Sequence, residues 1–266
     1  MRKGFLLVVS IVLFCGTALF STPVVTPERF VDYLCSMGVY DRETVAPETV
    51  IFCYGLSDAY CMENFGPFEE RSVIKKIYTL KGTEIAIMGR SGTGIGGPSL
   101  AIQMEKLIAF GTKRFILVGD AGALSKEFPI GTTLVCEKAL KIDDLLSQLY
   151  APEKMLFVRA TPSLFTKWNN FSKEEQQSVA AWTFSSLFFE TPERIQKARK
   201  LGCSVVEMEA ATLYAAAQAR GVEALALFVV SDQVTEEGWE PGFSDPRLNE
   251  AYPKLCDAIK EFCEQD

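Results

Sequence analysis

Short apolar runs recur along this chain, and segments with helical spacing separate them. The runs predict buried strands at 50–54, 84–88, 114–118, 133–136 and 224–230. Strands that are apolar on both faces are typical of parallel sheets covered by helices. The alternation therefore predicts an α/β fold with a largely parallel or mixed sheet and helices on both faces.

A helix is predicted at 99–110, directly after a glycine-rich stretch. Ser99 supplies its N-cap, because a serine side chain can accept hydrogen bonds from the first free backbone N–H groups. The helical period places three apolar residues on its buried side, namely Ile102, Leu107 and Ile108.

Two more helices follow later in the chain. An alanine-rich helix, Ala210–Arg220, ends before Gly221, which is a common residue after a helix end. A closing helix is predicted at 244–264. Segment 141–180 is polar and irregular, and we interpret it as an insertion or lid rather than as a separate domain.

Residues 1–21 are predicted to form a separate N-terminal segment. A basic start precedes an apolar run at 5–14 and several small residues, a pattern typical of a secretory signal cleaved near Ala18 or Ser21. The alternative is an uncleaved anchor, because the apolar segment is nearly long enough to span a bilayer. We therefore expect an exported protein, periplasmic or extracellular, whose globular domain covers 22–266.

Charge and composition exclude some classes of partner. The formal net charge is -7, which disfavours nucleic acid as a ligand. The chain has no histidine, and its cysteines and carboxylates show no spacing typical of a zinc site. No metal and no other cofactor is expected.

Characteristic motifs lie at 92–107 (GTGIGGPSLAIQMEKL), 118–124 (VGDAGAL) and 205–232 (VVEMEAATLYAAAQARGVEALALFVVSD). One glycine-rich loop alone is a weak signal. The order and spacing of all these motifs resemble the nucleoside phosphorylase and nucleosidase superfamily over roughly 48–262. The resemblance implies a single α/β domain around a twisted mixed sheet, assembled as a homo-oligomer, either a dimer or a hexamer.

The resemblance also implies a reaction. Members of the superfamily bind a nucleoside and cleave its N-glycosidic bond with phosphate or water. The transition state carries positive charge on the sugar ring. Such a site must therefore hold the sugar hydroxyls, present the acceptor on one face and stabilise the departing base.

Residues at the sugar and the base follow from the resemblance. Glu209 matches the carboxylate that accepts hydrogen bonds from the ribose hydroxyls, and Met208 matches the residue packed beneath the sugar. Asp232 matches an acid that contacts N7 of the leaving base, which favours purines. Alternative interpretations make Glu209 a carboxylate that the helix dipole favours and Asp232 a cap or turn residue.

Aromatic and loop residues complete the predicted nucleoside site. Phe188 and Phe189 lie where relatives stack a ring on the base, and the alternative is that either one belongs to the core. Thr93 and Gly94 match the part of the glycine loop beside ribose and phosphate. The alternative for these loop residues is a tight strand-to-helix turn without a ligand.

Positions that hold phosphate in the family are altered in this chain. Leu117 replaces an arginine, and Asp120 replaces a serine or threonine hydroxyl. No arginine closely follows the early glycine turn at Gly55, so Arg71 and Arg90 are the remaining candidates. Because Asp120 introduces a negative charge where an anion would bind, phosphate binding is expected to be weak.

Different functions remain open on the sequence alone. A nucleoside phosphorylase with a rearranged phosphate site agrees with the overall resemblance. A nucleosidase, in which Asp120 or Asp58 orients a water molecule, needs no phosphate. A non-catalytic nucleoside-binding protein outside the cytoplasm is the third alternative, and the predicted export favours the second and third.

Overall fold

The computed structural model describes residues 23–43, 45–69, 77–172 and 176–265. The predicted signal or anchor at 1–21 and the candidate Arg71 lie outside these ranges. Within them, strands form a single mixed sheet, with these bounds: β1 (Thr49–Cys53), β2 (Phe68–Glu69), β3 (Ile77–Leu80), β4 (Ile85–Met88), β5 (Arg114–Ala123), β6 (Thr133–Asp143), β7 (Phe157–Arg159), β8 (Gln177–Phe184), β9 (Val205–Glu207), β10 (Glu223–Thr235) and β11 (Gly238–Pro241).

Helices cover this sheet. In chain order they are α1 (Pro27–Ser36), α2 (Asp58–Phe65), α3 (Arg90–Thr93), α4 (Gly96–Ala109), α5 (Leu145–Tyr150), α6 (Pro162–Ser172), α7 (Pro192–Lys200), α8 (Ala210–Arg220) and α9 (Pro246–Glu264). A short 3₁₀ turn covers Leu187–Phe189. None of these described helices is both long enough and apolar enough to cross a membrane.

Strand β5 lies at the centre of the sheet. It pairs in parallel with β1 on one side and with β10 on the other, and its last residues pair antiparallel with β9. Strand β10 also pairs with β6, and β8 joins β6 to β9. The strands β5, β10, β6, β8 and β9 therefore close into a ring, and β1, β4, β3 and β2 extend from it.

Helix α8 packs against the sheet with most of its surface buried. Its first eight residues, Ala210–Ala217, are all buried, and five of them are alanines that allow close approach of neighbouring elements. The Tyr214 hydroxyl donates to the Cys136 carbonyl at 2.6 Å and accepts from the Ala226 N–H at 3.0 Å. These contacts fix α8 against β6 and β10, with its first residues close to the glycine-rich loop.

Several sequence predictions need correction. Segment 141–180 is not an insertion or lid, because it contains α5, β7 and α6 and half of β8, and β8 is an interior strand. Strands β5 and β10 run several residues beyond their predicted ends. The glycine motif at 118–124 is therefore largely strand rather than turn.

Helix α4 also differs from its prediction. It begins at Gly96 rather than at Ser99, whose hydroxyl donates to the Thr93 carbonyl. Leu107 is fully buried as expected, but Ile102 is 56% exposed. The earlier start places the first turn of the helix within the glycine loop.

Candidate active site

The glycine-rich loop is tied directly to the segment before α8. The Gly96 N–H donates to Glu209 Oε1 at 2.6 Å, and the Gly97 N–H donates to the Met208 carbonyl at 3.1 Å. Gly94 and Gly96 have φ values of 71° and 81°, which a residue with a side chain rarely adopts. A Cβ at Gly97 would collide with the Thr212 hydroxyl. The loop glycines are thus needed for close packing against the α8 terminus.

Glu209 occupies the N-cap position of α8, but its side chain does not cap that helix. Glu207 does so instead, because its Oε2 accepts from the N–H groups of Glu209 and Ala210, each at 2.7 Å. The Thr183 hydroxyl also donates to Glu207. Glu209 therefore lies at the end of α8 that the helix dipole makes favourable for a carboxylate, but its carboxyl is directed at the glycine loop.

Burial raises the pKa of both Glu207 and Glu209, and at Glu209 the neighbouring charge of Glu207 adds to this effect. Hydrogen bonds from the Thr183 hydroxyl and two backbone N–H groups favour the negative charge on Glu207. Glu209 is consequently the member of the pair that holds a proton more readily while no ligand donates to it.

Asp232 lies inside β10, just after a register shift that follows Val230, so the alternative that makes it a cap or turn residue is wrong. Its Oδ1 accepts from the Ser231 hydroxyl at 2.7 Å, and its Oδ2 accepts from the Trp239 indole N–H at 2.7 Å. Asp232 is 8% exposed. The β10–β11 hairpin therefore brings Trp239 over this carboxylate and holds its orientation.

Glu190 lies near Asp232, immediately after the 3₁₀ turn. Burial, followed by the negative charge of Asp232, raises the pKa of Glu190 to about 7. A carboxyl with this pKa is partly protonated at neutral pH and can donate a proton. Glu190 was not among the residues predicted from the sequence.

Asp120 extends from β5 over the early glycine turn. A side chain at Gly55 would collide with the Asp120 carboxyl, and Gly55 itself has a φ of 83°. The Tyr252 hydroxyl of α9 donates to Asp120. Burial and the charge of Asp232 raise the pKa of Asp120 to about 7, and the positive charge of Arg90 opposes this rise.

The remaining phosphate candidates have different surroundings. Leu117 is 1% exposed and pairs with Phe52 and Ala226 in the middle of the sheet, so it is a core residue. Arg90 begins α3 and is exposed. Asp58 accepts from the N–H of Ser91 at 3.0 Å and also from the Ser91 hydroxyl. Asp58 is therefore bonded to the start of α3, and the role of either Asp58 or Asp120 toward a water molecule stays a prediction.

Phe188 and Phe189 are not core residues. They are 87% and 62% exposed on the 3₁₀ turn that precedes Glu190. The core interpretation is wrong, and stacking of either ring on a base stays a prediction. Thr93 is fully buried at the end of α3, so Gly94 is the more accessible of the two loop candidates.

The structure thus brings several predicted residues to one region. Glu209, Asp120 and Asp232 act electrostatically on one another or on shared neighbours. Met208 directly precedes Glu209, and Gly55 lies against the Asp120 carboxyl. Sequence analysis missed the supporting residues Glu190, Trp239, Tyr252 and Glu207. Of these, Glu207 lies within the 205–232 motif that contributed to the resemblance. The roles of all these side chains toward a ligand stay predictions.

Two features describe this fold and site: five strands that close into a ring, and a glycine loop that donates a hydrogen bond to Glu209 at the start of α8. The chain belongs to the phosphorylase superfamily, which matches it over residues 62–263. A purine nucleoside phosphorylase from Toxoplasma gondii, solved in complex with immucillin-H, has the same fold. The TM-score is 0.69 at 20% identity, covering 84% of this chain and 92% of the other. The predicted α/β fold is confirmed.

Two proteins with similar sequences are purine nucleoside phosphorylases from streptococci. A DeoD-type purine nucleoside phosphorylase from Streptococcus pyogenes (strain Manfredo) is 31% identical over 185 residues, which cover 68% of this chain and 74% of the relative. The corresponding protein from Streptococcus suis (strain 05ZYH33) is 32% identical over 184 residues, covering 67% and 74%. The resemblance to nucleoside phosphorylases is therefore confirmed.

The carboxyl cluster predicts an unusual dependence of stability on pH. A carboxyl whose pKa is higher in the folded than in the unfolded chain stabilises the fold at low pH, and this contribution is lost as pH rises through the folded pKa. Raising the pKa of Asp120 from 3.8 to about 7 corresponds to roughly 4 kcal/mol. Glu190, Glu207 and Glu209 act in the same direction.

We therefore expect the melting temperature to fall between about pH 5 and about pH 8. Thermal unfolding followed by circular dichroism checks this, and Asp120→Asn should show a shallower fall. A melting temperature that rises over the same interval would show that ionising these carboxyls does not destabilise the folded protein.

Proposed function

We propose that this protein cleaves the N-glycosidic bond of a nucleoside, with a purine base as the leaving group, and transfers the sugar to phosphate. One observation carries the proposal: the buried Glu209 carboxyl does not cap its own helix and instead faces the glycine loop. In that position its oxygens can accept hydrogen bonds from a sugar diol. The named activity of the streptococcal relatives supports the same reaction.

The carboxyls of Asp232 and Glu190 support departure of the purine base with the help of an acid. Asp232 accepts hydrogen bonds from the Ser231 hydroxyl and the Trp239 indole N–H, which hold its carboxyl in place, so the base can receive a proton from another group. Glu190, whose pKa is raised to about 7, is the nearby carboxyl that can supply one. We therefore assign proton donation toward the purine to Glu190 and the fixed acceptor role to Asp232.

Binding of phosphate, which accepts the sugar, depends on the protonation state of Asp120. When neutral, its hydroxyl can donate to a phosphate oxygen, as the family's serine or threonine does. When ionised, it repels phosphate across the Gly55 turn. The neutral state, reached below a pKa of about 7, is therefore the phosphorolytic one.

Hydrolysis is a second candidate, favoured by the position of the Asp120 carboxyl over Gly55. An ionised carboxylate there can accept a proton from water and place negative charge beside the cationic sugar ring. The two candidates give different sugar products. Inosine, guanosine, adenosine and uridine should be incubated with and without phosphate, and ribose 1-phosphate distinguished from ribose by chromatography.

We expect purine nucleosides to be cleaved faster than uridine, because uridine has no N7 to receive a proton. Glu190→Gln should lower kcat for inosine by about 100-fold or more, with little change in KM. Glu193→Gln, an exposed neighbour on α7, is the matched control and should behave as the unmodified protein. A clear preference for uridine would overturn the assignment of the base.

A further inference from the structure

Tyr54 carries a buried hydroxyl that the mechanism above does not use. The residue directly follows β1, its backbone N–H donates to the Val118 carbonyl at 2.8 Å, and its side chain is only 6% exposed. Its hydroxyl has no hydrogen-bond partner among the residues that the structure describes. A buried hydroxyl without a partner is destabilising, so a ligand atom that accepts a hydrogen bond from it would remove this cost.

The surroundings of Tyr54 place it on one side of the site. A Cβ at Gly119 would lie 3.1 Å from the Tyr54 Cβ, so the glycine provides room for the ring against β5. Burial raises the pKa of Tyr54, and the charges that raise it further belong to Glu209 and then Glu207. The hydroxyl is therefore on the Glu209 side, and the groups that mark the base, Asp232 and Glu190, do not act on it appreciably.

The geometry points to Tyr54 as a further ligand-binding residue, whose hydroxyl donates a hydrogen bond to a sugar hydroxyl oxygen that Glu209 also holds. This assignment rests on the proposed nucleoside site. A sugar hydroxyl is both donor and acceptor, so it can donate to the ionised Glu209 carboxylate and accept from the phenol at the same time. Phosphate and base are less suitable partners, because they lie toward Asp120 and Asp232.

Tyr54→Phe removes the hydroxyl and keeps the ring, so it separates a ligand role from a structural one. Without a ligand, the variant should be as stable as the unmodified protein or melt up to about 4 °C higher, because a buried polar group without a partner is removed. Its dissociation constant for inosine should nevertheless rise roughly fivefold to tenfold.

Thr79→Val is the matched control. The Thr79 hydroxyl on β3 is fully buried and also has no described partner, so its removal should likewise leave stability unchanged or raise it. It should not change inosine binding, because Thr79 lies on the extension of the sheet away from the ring of strands. Calorimetry with inosine, 2′-deoxyinosine and 3′-deoxyinosine completes the test.

The deoxynucleosides identify the hydroxyl that Tyr54 contacts. One of them should bind the unmodified protein and Tyr54→Phe equally, since the group that pairs with the phenol is already absent. If Tyr54→Phe binds inosine as tightly as the unmodified protein, the assignment of Tyr54 is wrong while the nucleoside site stands. If the unmodified protein binds no nucleoside, both the site and the role of Tyr54 are overturned.

Discussion

Replacing Glu209 by alanine is expected to lower nucleoside cleavage by about 100-fold while the protein stays folded. Hydrogen bonds to a charged group contribute about 1.5–3 kcal/mol each, and a sugar diol offers two of them, so roughly 3 kcal/mol of binding is lost. In the folded state the Gly96 N–H loses its acceptor, but removal of a carboxyl whose burial raises its pKa offsets that loss. Calorimetry measures the loss of nucleoside binding, and a base-release assay measures the loss of cleavage.

Glu209→Gln refines this test. The amide oxygen still accepts from the Gly96 N–H, so the loop should keep its geometry. It accepts more weakly from a sugar hydroxyl because it carries no charge. Its activity should therefore lie between those of the unmodified protein and Glu209→Ala. Equal binding of nucleoside by the alanine variant and the unmodified protein would remove Glu209 from the sugar site.

Phosphate should stimulate base release strongly at about pH 6 and weakly at about pH 8. The reason is the pKa of about 7 at Asp120, below which the carboxyl is neutral and above which it repels phosphate. Like charges about 4 Å apart at an effective dielectric constant of about 20 repel by about 4 kcal/mol. Because the neutral fraction of Asp120 falls from about nine-tenths to about one-tenth between the two conditions, the phosphate concentration for half-maximal stimulation should rise about tenfold.

Asp120→Ser tests the same prediction without a change of pH. The serine restores a neutral hydroxyl donor, so phosphate should stimulate this variant equally under both conditions. Asp257→Ser, an exposed position on α9, is the control and should keep the pH dependence of the unmodified protein. A phosphate response that is the same at both pH values in the unmodified protein would contradict the role of Asp120.

The sequence predicts the fold well because its strands are apolar on both faces. The runs at 50–54 and 84–88 lie within one residue of β1 and β4. The prediction fails at 141–180, where β8 begins with exposed residues and α5 is very short, so neither gives a clear periodic pattern. Strand pairing with β6 and β9, rather than local propensity, determines the structure of β8.

Site residues within a motif could be predicted, whereas their supports could not. Glu209 and Asp232 follow from the resemblance, but the Gly96 partner of Glu209 is 113 positions away, and Trp239 reaches Asp232 only through the β10–β11 hairpin. Tyr252 contacts Asp120 across 132 positions of the chain. The cap provided by Glu207, in place of Glu209, depends on side-chain direction, which a sequence does not reveal. The sequence marks Asp120 as an unusual carboxyl, but only the fold shows its contact with Tyr252 and the burial that raises its pKa.

The most direct test of the account is a product analysis with inosine and the folded, unmodified protein. Base and sugar products are followed at about pH 6 with and without phosphate, near the condition in which Asp120 is neutral. The account predicts release of hypoxanthine that phosphate accelerates, with ribose 1-phosphate as the sugar product. Binding of inosine without release of hypoxanthine, with or without phosphate, would contradict it and leave a protein that binds nucleosides but does not cleave them.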